Sequence, residues 1–158
     1  MDYKPTRKIN RLENYDYSQN GAYFITICTK DHSALFGKII VGANCVRLEL
    51  SEIGLTVDSE IPRLPDIYEG IVVSSHVVMP NHIHMIIEIE NTGRTKFAPT
   101  ISRIIKQFKG AITKLIGFSP WQKSFHDHVI RNQEDYNRIA EYIDNNPAKW
   151  AEDRYYTG

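Results

Sequence analysis

The chain has 158 residues, of which 42% are hydrophobic, so it is long enough to bury a real core and predicts one compact domain. Its 19 basic and 19 acidic residues cancel, which excludes the strongly basic composition that is typical of many nucleic-acid-binding proteins. No apolar run approaches the roughly 18 residues of a membrane span. Cys28 and Cys45 lack the spacing of a metal or redox motif, and no signal segment precedes the first strand, so we expect a reduced, cytoplasmic protein without a membrane partner.

The first half of the chain predicts a strand, a β-hairpin and a helix. Residues 1–20 are polar and basic and are interpreted as an arm ahead of the first strand, residues 22–30, which is rich in aromatic and β-branched side chains. The runs LFGKIIV and CVRLEL flank the turn-forming GAN, which predicts two short strands. Apolar residues at helical spacing after Ser51 predict a helix that Pro62 ends.

The middle of the chain predicts a second β-hairpin and a long helix. Residues 70–79 and 82–90 have the composition of strands and are joined by a short Pro-Asn turn. From Pro99 onwards, apolar residues recur every three or four positions while basic residues fall opposite them, which is typical of an amphipathic helix. We expect this helix to end at Gly117.

The last part of the chain predicts a strand, a helix and a tail. Residues 124–130 indicate a strand, and Asn132 followed by Asp135 resembles a capping box for a helix over 133–145, with residues 147–158 as a tail. Tight turns between neighbouring strands favour antiparallel pairing over a doubly wound parallel sheet. The predicted fold class is therefore α+β, a ferredoxin-like antiparallel sheet with helices packed on one face.

Two histidines two residues apart interrupt the otherwise apolar run HIHMIIEIE. Because side chains alternate along a strand, His82 and His84 share one face, opposite the apolar face that predicts the core. Two imidazoles on one face can reach a shared metal ion. His126 and His128 form a second pair with the same spacing, so spacing alone does not choose between them. The first pair is favoured because it follows the MPN turn on a strand that is predicted to be central.

Two motifs together resemble those of HUH-type single-tyrosine transposases. VVMPNHIHMII is similar to the metal-binding strand of that family, and EYIDNNPAKW resembles its nucleophile helix, above all in REP-associated tyrosine transposases. The stretches NYDYSQNGAYFITICT and WQKSFHDHVIRNQEDYNRI are also similar, so the resemblance extends over most of residues 1–158, which it implies to be one transposase domain.

The resemblance implies His82 and His84 as metal ligands, Asn146 as the third ligand and Tyr142 as the nucleophile. The wider family mostly has glutamine at the third position, and Asn146 is a departure shared with the REP-associated branch. It also implies a ferredoxin-like fold, Mg²⁺ or Mn²⁺ as cofactor, and cleavage and rejoining of single-stranded DNA near DNA hairpins through a 5′-phosphotyrosine. The residues agree with this reading, because Tyr142 and Asn146 lie four apart on one face of the predicted last helix.

Basic residues are concentrated where acidic ones are missing. Residues 91–126 contain seven lysines and arginines and no Asp or Glu, which predicts a local positive field. With a DNA substrate these residues, together with the basic arm, are predicted to contact phosphates. The predicted DNA-binding residues are Arg7, Lys8, Arg11, Arg94, Lys96, Arg103, Lys106, Lys109 and Lys114.

Two other functions remain open at this stage. A ferredoxin-like sheet can also serve as a non-catalytic module that binds single-stranded nucleic acid, and a histidine pair can serve a metal-dependent phosphodiester hydrolase that activates water. Whether the protein acts as a monomer or as a homodimer is also open, because single-tyrosine transposases of both kinds exist. Tyr155 and Tyr156 are expected to move freely in the tail, without a fixed partner.

Overall fold

The structure is a computed structural model that describes residues 21–90 and 99–157. The predicted basic arm lies outside the described residues. The same holds for five of the predicted DNA contacts: Arg7, Lys8, Arg11, Arg94 and Lys96.

The helices and strands of these two ranges follow the predicted order closely. In chain order they are β1 (Gly21–Cys28), β2 (Gly37–Val41), β3 (Val46–Leu50), α1 (Glu52–Glu60), α2 (Leu64–Ile67), β4 (Ile71–Met79), β5 (His82–Ile89), α3 (Ile101–Ile116), β6 (His126–Ile130) and α4 (Gln133–Asn145). None of the helices in the described ranges combines the length and apolar character that a membrane span requires.

The main sheet has four antiparallel strands in the order β4-β5-β1-β6, and β2 and β3 form a separate two-stranded sheet. The connection from β1 to β4 includes α1 and skips β5, and the connection from β5 to β6 includes α3 and skips β1. Two such split βαβ units define the ferredoxin-like topology, so the predicted fold class is confirmed. Strands β1 and β5 are the two central strands, where each has a hydrogen-bonded neighbour on both sides.

Different helices pack on the two faces of this sheet. Ile83 and Met85 of β5 point into the main core, where they meet apolar residues of α1 and α3, as predicted. On the opposite face Ile86 packs with Ile139 and Ile143 of α4. Alternation along β5 places His82 and His84 on this second face. The last helix therefore packs on the face that carries the histidines.

Side chains fix where the helices begin. Ser51 Oγ accepts a hydrogen bond from the backbone N–H of Gly54 at 3.0 Å, which begins α1. Asn132 Oδ1 accepts one from the N–H of Asp135 at 2.8 Å, which begins α4 at the predicted residue. Gly117, with φ of 89°, ends α3 in the left-handed conformation that glycine adopts without strain. These caps set the position of each helix relative to the sheet.

Gly54 allows the first turn of α1 to approach the backbone of Phe36. A Cβ atom at Gly54 would lie 1.9 Å from the carbonyl oxygen of Phe36, and no side-chain rotation can relieve that overlap. We expect Gly54→Ala to lower the free energy of unfolding by about 1–3 kcal/mol, as overpacking does elsewhere. Urea denaturation measures the change.

Gly110→Ala is the matched control, because a Cβ at this position in α3 meets nothing within 4 Å. Alanine is the better helix former by roughly 0.5–1 kcal/mol, so this variant should gain stability. A Gly54→Ala protein as stable as the Gly110→Ala protein would contradict the close approach of α1 to Phe36.

Candidate functional site

His82 and His84 lie fully inside the protein on a central strand. Their exposed fractions are 0% and 1%, and their ring centroids are 4.5 Å apart. Strand β5 pairs with β4 on one side and β1 on the other, so the backbone that carries both rings is held from two directions. The structure therefore presents the pair as two adjacent, rigidly held imidazoles.

The amide of Asn81 determines which nitrogen of His82 carries the proton. Asn81 Nδ2 donates hydrogen bonds to the carbonyl oxygens of Tyr155 at 2.7 Å and His32 at 3.3 Å. This fixes the amide orientation, so Asn81 Oδ1, 2.8 Å from His82 Nδ1, must accept the proton of that nitrogen. In the neutral ring the lone pair is then on Nε2, the arrangement that a metal-binding histidine needs.

Three buried atoms at this place have no hydrogen-bond partner in the described part of the chain: His82 Nε2, His84 Nε2 and Asn146 Oδ1. The other nitrogen of His84 is anchored, because Nδ1 lies 2.8 Å from Thr26 Oγ1. An unsatisfied buried polar atom costs roughly 1–3 kcal/mol, so three together indicate a site built for a ligand. Asn146 Oδ1 and, with its proton on Nδ1, His82 Nε2 carry lone pairs, and His84 Nε2 carries one when Thr26 accepts from Nδ1, which suits a cation.

Asp153 completes this group, although no sequence motif predicted it. Single ligand atoms of His82, His84 and Asp153 all lie within 4.8 Å of one another, so these residues can hold a divalent metal ion. Asp153 Oδ2 also accepts a hydrogen bond from Asn146 Nδ2 at 2.6 Å. That bond uses one N–H of the Asn146 amide, and its Oδ1 remains available as a further oxygen ligand.

Burial keeps both histidines neutral. It lowers the pKa of His82 to about 4, although the charge of Asp153 and the nearby Asn146 amide oppose the shift. It also lowers the pKa of His84 well below the ordinary value, and the neighbouring His82 adds to this effect. Since metal ions bind the neutral imidazole, the site is in its binding-competent protonation state at neutral pH.

Tyr142 stands at the open edge of this group. It lies on α4 one turn before Asn146, with 40% of its surface exposed. Its hydroxyl donates to Asp153 Oδ2 at 3.4 Å, and its ring centroid is 5.3 Å from that of His84. Partial burial and then the charge of Asp153 raise the pKa of its phenol, so the group is protonated at neutral pH. The structure thus brings together the four candidate site residues of the two sequence motifs, which are His82, His84, Tyr142 and Asn146.

The tail covers the inner end of the site. Tyr155 is buried with its ring centroid 4.5 Å from that of His82, and the Trp150 ring stacks on the same imidazole at 5.9 Å. The expectation that Tyr155 moves freely was therefore wrong. Its ring and that of Trp150 form a small core with Cys28 and Met79, whose apolar surface on the histidine face would otherwise meet water.

The predicted DNA contacts of α3 do not lie beside this group. Arg103, Lys106 and Lys114 are exposed, but α3 packs on the opposite face of the sheet from His82 and His84. Lys109 is partly buried, and its ammonium donates to the carbonyl oxygen of Gln122 at 2.6 Å. Their DNA-binding roles stay predictions.

Other cations flank Tyr142 instead. Arg138 and Arg154 line a cavity beside it, together with both histidines of the second pair, His126 and His128. Neither arginine was predicted as a DNA contact, since neither belongs to the acid-free segment. The helical spacing of Arg138, four residues before Tyr142, is the signal that could have identified it.

Comparisons with known proteins agree with this architecture. An uncharacterized protein of Haemophilus influenzae is 33% identical over an alignment of 171 positions. The alignment covers 95% of this chain and 93% of that protein. A REP-associated tyrosine transposase of Escherichia coli is 36% identical over 78 residues, 49% of this chain and 44% of that protein. The solved structure of a REP-associated tyrosine transposase bound to a REP hairpin superposes with a TM-score of 0.64 at 23% identity, covering 88% of this chain and 73% of that one. No protein-family model matches the sequence.

Fold and site together define an enzyme class in which a ferredoxin-like sheet presents paired histidines beneath a helix that bears a tyrosine. The chain belongs to the HUH-type single-tyrosine transposases, on the branch of the REP-associated tyrosine transposases. The family resemblance of the two sequence motifs is thereby confirmed.

The depressed pKa of His82 predicts a loss of stability in acid. Above the unfolded pKa of 6.5 neither state protonates this histidine, and the stabilisation is complete. Between 6.5 and the folded pKa of about 4 only the unfolded state gains the proton, which costs about 1.4 kcal/mol per pH unit and on the order of 3 kcal/mol in all. Urea denaturation of metal-free protein from pH 7.5 to pH 4.5 measures the slope.

His82→Gln should have a shallower pH dependence than wild type, because one of the histidines that stays neutral is gone. Asn44→Ala is the control, since it changes an exposed residue between β2 and β3 and removes no titratable group. Equal slopes for His82→Gln and wild type would show that His82 is protonated equally in both states.

Removal of the Asn81 amide should weaken metal binding. Without Oδ1 as an acceptor the His82 ring can carry its proton on Nε2, where it blocks the ion. We expect Asn81→Ala to lower Mn²⁺ affinity about 10- to 100-fold, the usual range for such outer partners. Isothermal titration of Mn²⁺ into each protein measures the affinity.

Asn44→Ala, in the exposed turn between β2 and β3, serves as the control and should bind Mn²⁺ like wild type. The role of Asn81 is disproved by a folded Asn81→Ala protein, checked by circular dichroism, that binds Mn²⁺ with wild-type affinity.

Proposed function

We propose that this protein is a metal-dependent tyrosine transposase that cleaves and rejoins single-stranded DNA near DNA hairpins, with Tyr142 as its nucleophile. One observation carries the proposal. The partly exposed Tyr142 lies beside three buried atoms that have no hydrogen-bond partner among the described residues, His82 Nε2, His84 Nε2 and Asn146 Oδ1. A nucleophile next to a cation site is the arrangement that attack on a phosphodiester requires.

The residues of this group fit Mg²⁺ or Mn²⁺. His82 and His84 would provide two nitrogens, and Asn146 and Asp153 would provide oxygen. Two imidazoles suit Mn²⁺ better than Mg²⁺, since magnesium prefers oxygen ligands. When bound, the ion would polarise the scissile phosphate and offset the negative charge of the transition state.

Tyr142 needs a proton acceptor because its phenol is protonated at neutral pH. In the proposed step a bond forms between the Tyr142 oxygen and phosphorus, and the bond from phosphorus to the 3′ oxygen of the preceding nucleotide breaks. Asp153 Oδ2, 3.4 Å from the hydroxyl, takes the phenol proton, while the leaving oxygen takes a proton from solvent. The products are a 5′-phosphotyrosine and a free 3′ hydroxyl, whose attack on the adduct rejoins the strand.

The substrate class follows from the family and from the named relative that was solved with a REP hairpin. Because α3 is on the far face of the sheet from Tyr142, its basic residues are proposed to contact phosphates away from the cleaved bond. These residues are Arg103, Lys106, Lys109 and Lys114. The five basic residues outside the described ranges, Arg7, Lys8, Arg11, Arg94 and Lys96, are proposed as further phosphate contacts.

We further propose that the site acts within one chain. Tyr142, Asn146 and Asp153 contact one another and the histidines of their own sheet, so a homodimer is not needed to assemble the site. We place the activity in the cytoplasm, in keeping with the free thiols Cys28 and Cys45, and treat residues 1–158 as one transposase domain.

Tyr142→Phe tests the chemistry. Wild-type protein incubated with Mn²⁺ and a single-stranded DNA that carries a hairpin should form a covalent adduct on a denaturing gel. The label belongs on the 3′ end of the DNA, since the strand downstream of the cut stays attached to tyrosine. We expect Tyr142→Phe to abolish the adduct and to bind the DNA as wild type does, because only the nucleophilic oxygen is removed.

Tyr156→Phe is the control, since this exposed tail tyrosine should be dispensable. An adduct that persists in Tyr142→Phe would assign the nucleophile to another tyrosine. Cleaved DNA without any adduct indicates the hydrolase alternative, and binding of wild type without cleavage indicates the non-catalytic module.

A further inference from the structure

A cavity of about 570 Å³ opens directly beside Tyr142. His84 and Tyr142 form part of its wall, so whatever fills it lies next to the proposed reacting atoms. The proposed metal ligand His84 and the proposed nucleophile Tyr142 account for only this part of the cavity wall. Its remaining walls have no assigned role, and their chemistry indicates what they bind.

The inner walls are apolar and aromatic. Phe24 of β1, Ile139 of α4 and Tyr155 of the tail line the cavity. Phe24 is only partly buried, although it lies on a central strand, and its ring meets the Tyr142 ring edge-on at 6.2 Å. An aromatic ring that remains accessible in such a place can stack with a planar ligand.

The outer walls carry hydrogen-bonding groups and permanent positive charge. His126 lies at one side, and the exposed Arg138 and Arg154 lie at the rim. The carboxylate of Asp135 pairs with both Arg138 and His128 and so holds them at this rim. Donors and acceptors beside an apolar slot match the edge of a nucleobase, while guanidinium groups at the rim match its phosphates.

A second cavity, of about 310 Å³, lies on the other side of Tyr142 and shares Tyr142 and Arg138 with the first. Its other walls include Glu141, Asn145 and Lys149, and Tyr142 is its one aromatic residue in the part of the chain that the structure describes. A strand with its phosphate at Tyr142 would have one neighbouring nucleotide on each side. Within the described ranges, only the first of these two cavities has a stacking ring of its own.

Resting on the proposed function, we propose that the first cavity binds one unstacked nucleobase of the substrate strand, directly adjacent to the scissile phosphate, by stacking on Phe24. Arg138 and Arg154 contact the phosphates of that nucleotide. The base is read at its edge by His126, so this pocket selects the base beside the cut, independently of the DNA hairpin.

An abasic scan tests the pocket. Hairpin DNAs that each lack one base near the cut are compared in the rate of adduct formation. With wild-type protein one abasic position should slow the reaction about 5- to 100-fold, the range of base-on-aromatic stacking. Phe24→Ala should slow the intact DNA to a similar extent and should no longer distinguish it from the abasic DNA, because both changes remove the same contact.

Two further variants separate stacking from general damage. Phe24→Tyr keeps the ring and should retain the abasic penalty. Phe118→Ala removes an aromatic residue that is 47% exposed beyond the end of α3 and should behave as wild type. Because the Phe24 ring packs 5.1 Å from the His84 ring, Mn²⁺ affinity of Phe24→Ala is measured as well, and an unchanged affinity assigns the slower reaction to lost stacking.

An equilibrium measurement makes the pocket testable without cleavage. The Tyr142→Phe protein is mixed with hairpin DNAs that carry 2-aminopurine at single positions, whose fluorescence falls on stacking. Quenching at one position that is lost in the Phe24→Ala, Tyr142→Phe double variant supports the pocket. This support holds even if wild type forms no adduct, a result that would overturn only the proposed chemistry. A normal adduct with no selective abasic position and no Phe24-dependent quenching overturns the pocket and leaves the transposase intact.

Discussion

The site depends on holding two neutral imidazoles inside the protein with their lone pairs directed at one point. Each ring is anchored at Nδ1, His82 by the Asn81 amide and His84 by the Thr26 hydroxyl, and each therefore presents Nε2 to the same space. Burial disfavours protonation of both rings, so the lone pairs remain available at neutral pH. Without the Asn81 amide the His82 ring could carry its proton on Nε2, the nitrogen that faces the candidate cation site.

The sheet can support this arrangement because its two faces have separate tasks. One face, with Ile83 and Met85, packs against α1 and α3 and provides most of the buried apolar surface. The other face holds buried polar atoms that cost free energy until a ligand satisfies them. Stability gained on the first face offsets that cost on the second, as expected where functional groups are strained or unsatisfied.

The tail is part of the site and not an appendage to it. Tyr155 packs on His82 and its carbonyl oxygen accepts from Asn81, while Asp153 accepts from both Asn146 and Tyr142. The same few residues therefore orient the His82 imidazole, the Asn146 amide and the Tyr142 hydroxyl. Because these contacts are shared, the order of the tail and the geometry of the site are coupled, and a change in one must alter the other.

Much of the fold followed from rules that act over a few residues. The period of two along β5 separated His82 and His84 from the apolar core face. The period of 3.6, with the end at Gly117 and the cap at Asn132, located α3 and α4. The same helical period put Tyr142 and Asn146 on one face. Local geometry fixes which side chains share a face of a strand or a helix, wherever that element lies in the fold. The sequence alone could therefore determine these shared faces, and its motifs indicated the family.

Only the tertiary structure decided which distant residues meet. Asp153 and Tyr155 come from a segment that has no motif and was interpreted as a tail, yet they border His82 and His84. The basic residues of α3 are the most conspicuous charges in the sequence, yet they face away from Tyr142, and Arg138 takes the place beside it. Such contacts join residues whose separation along the chain follows no period, so they are set by how the sheet, α4 and the tail pack, and no spacing in the sequence encodes them.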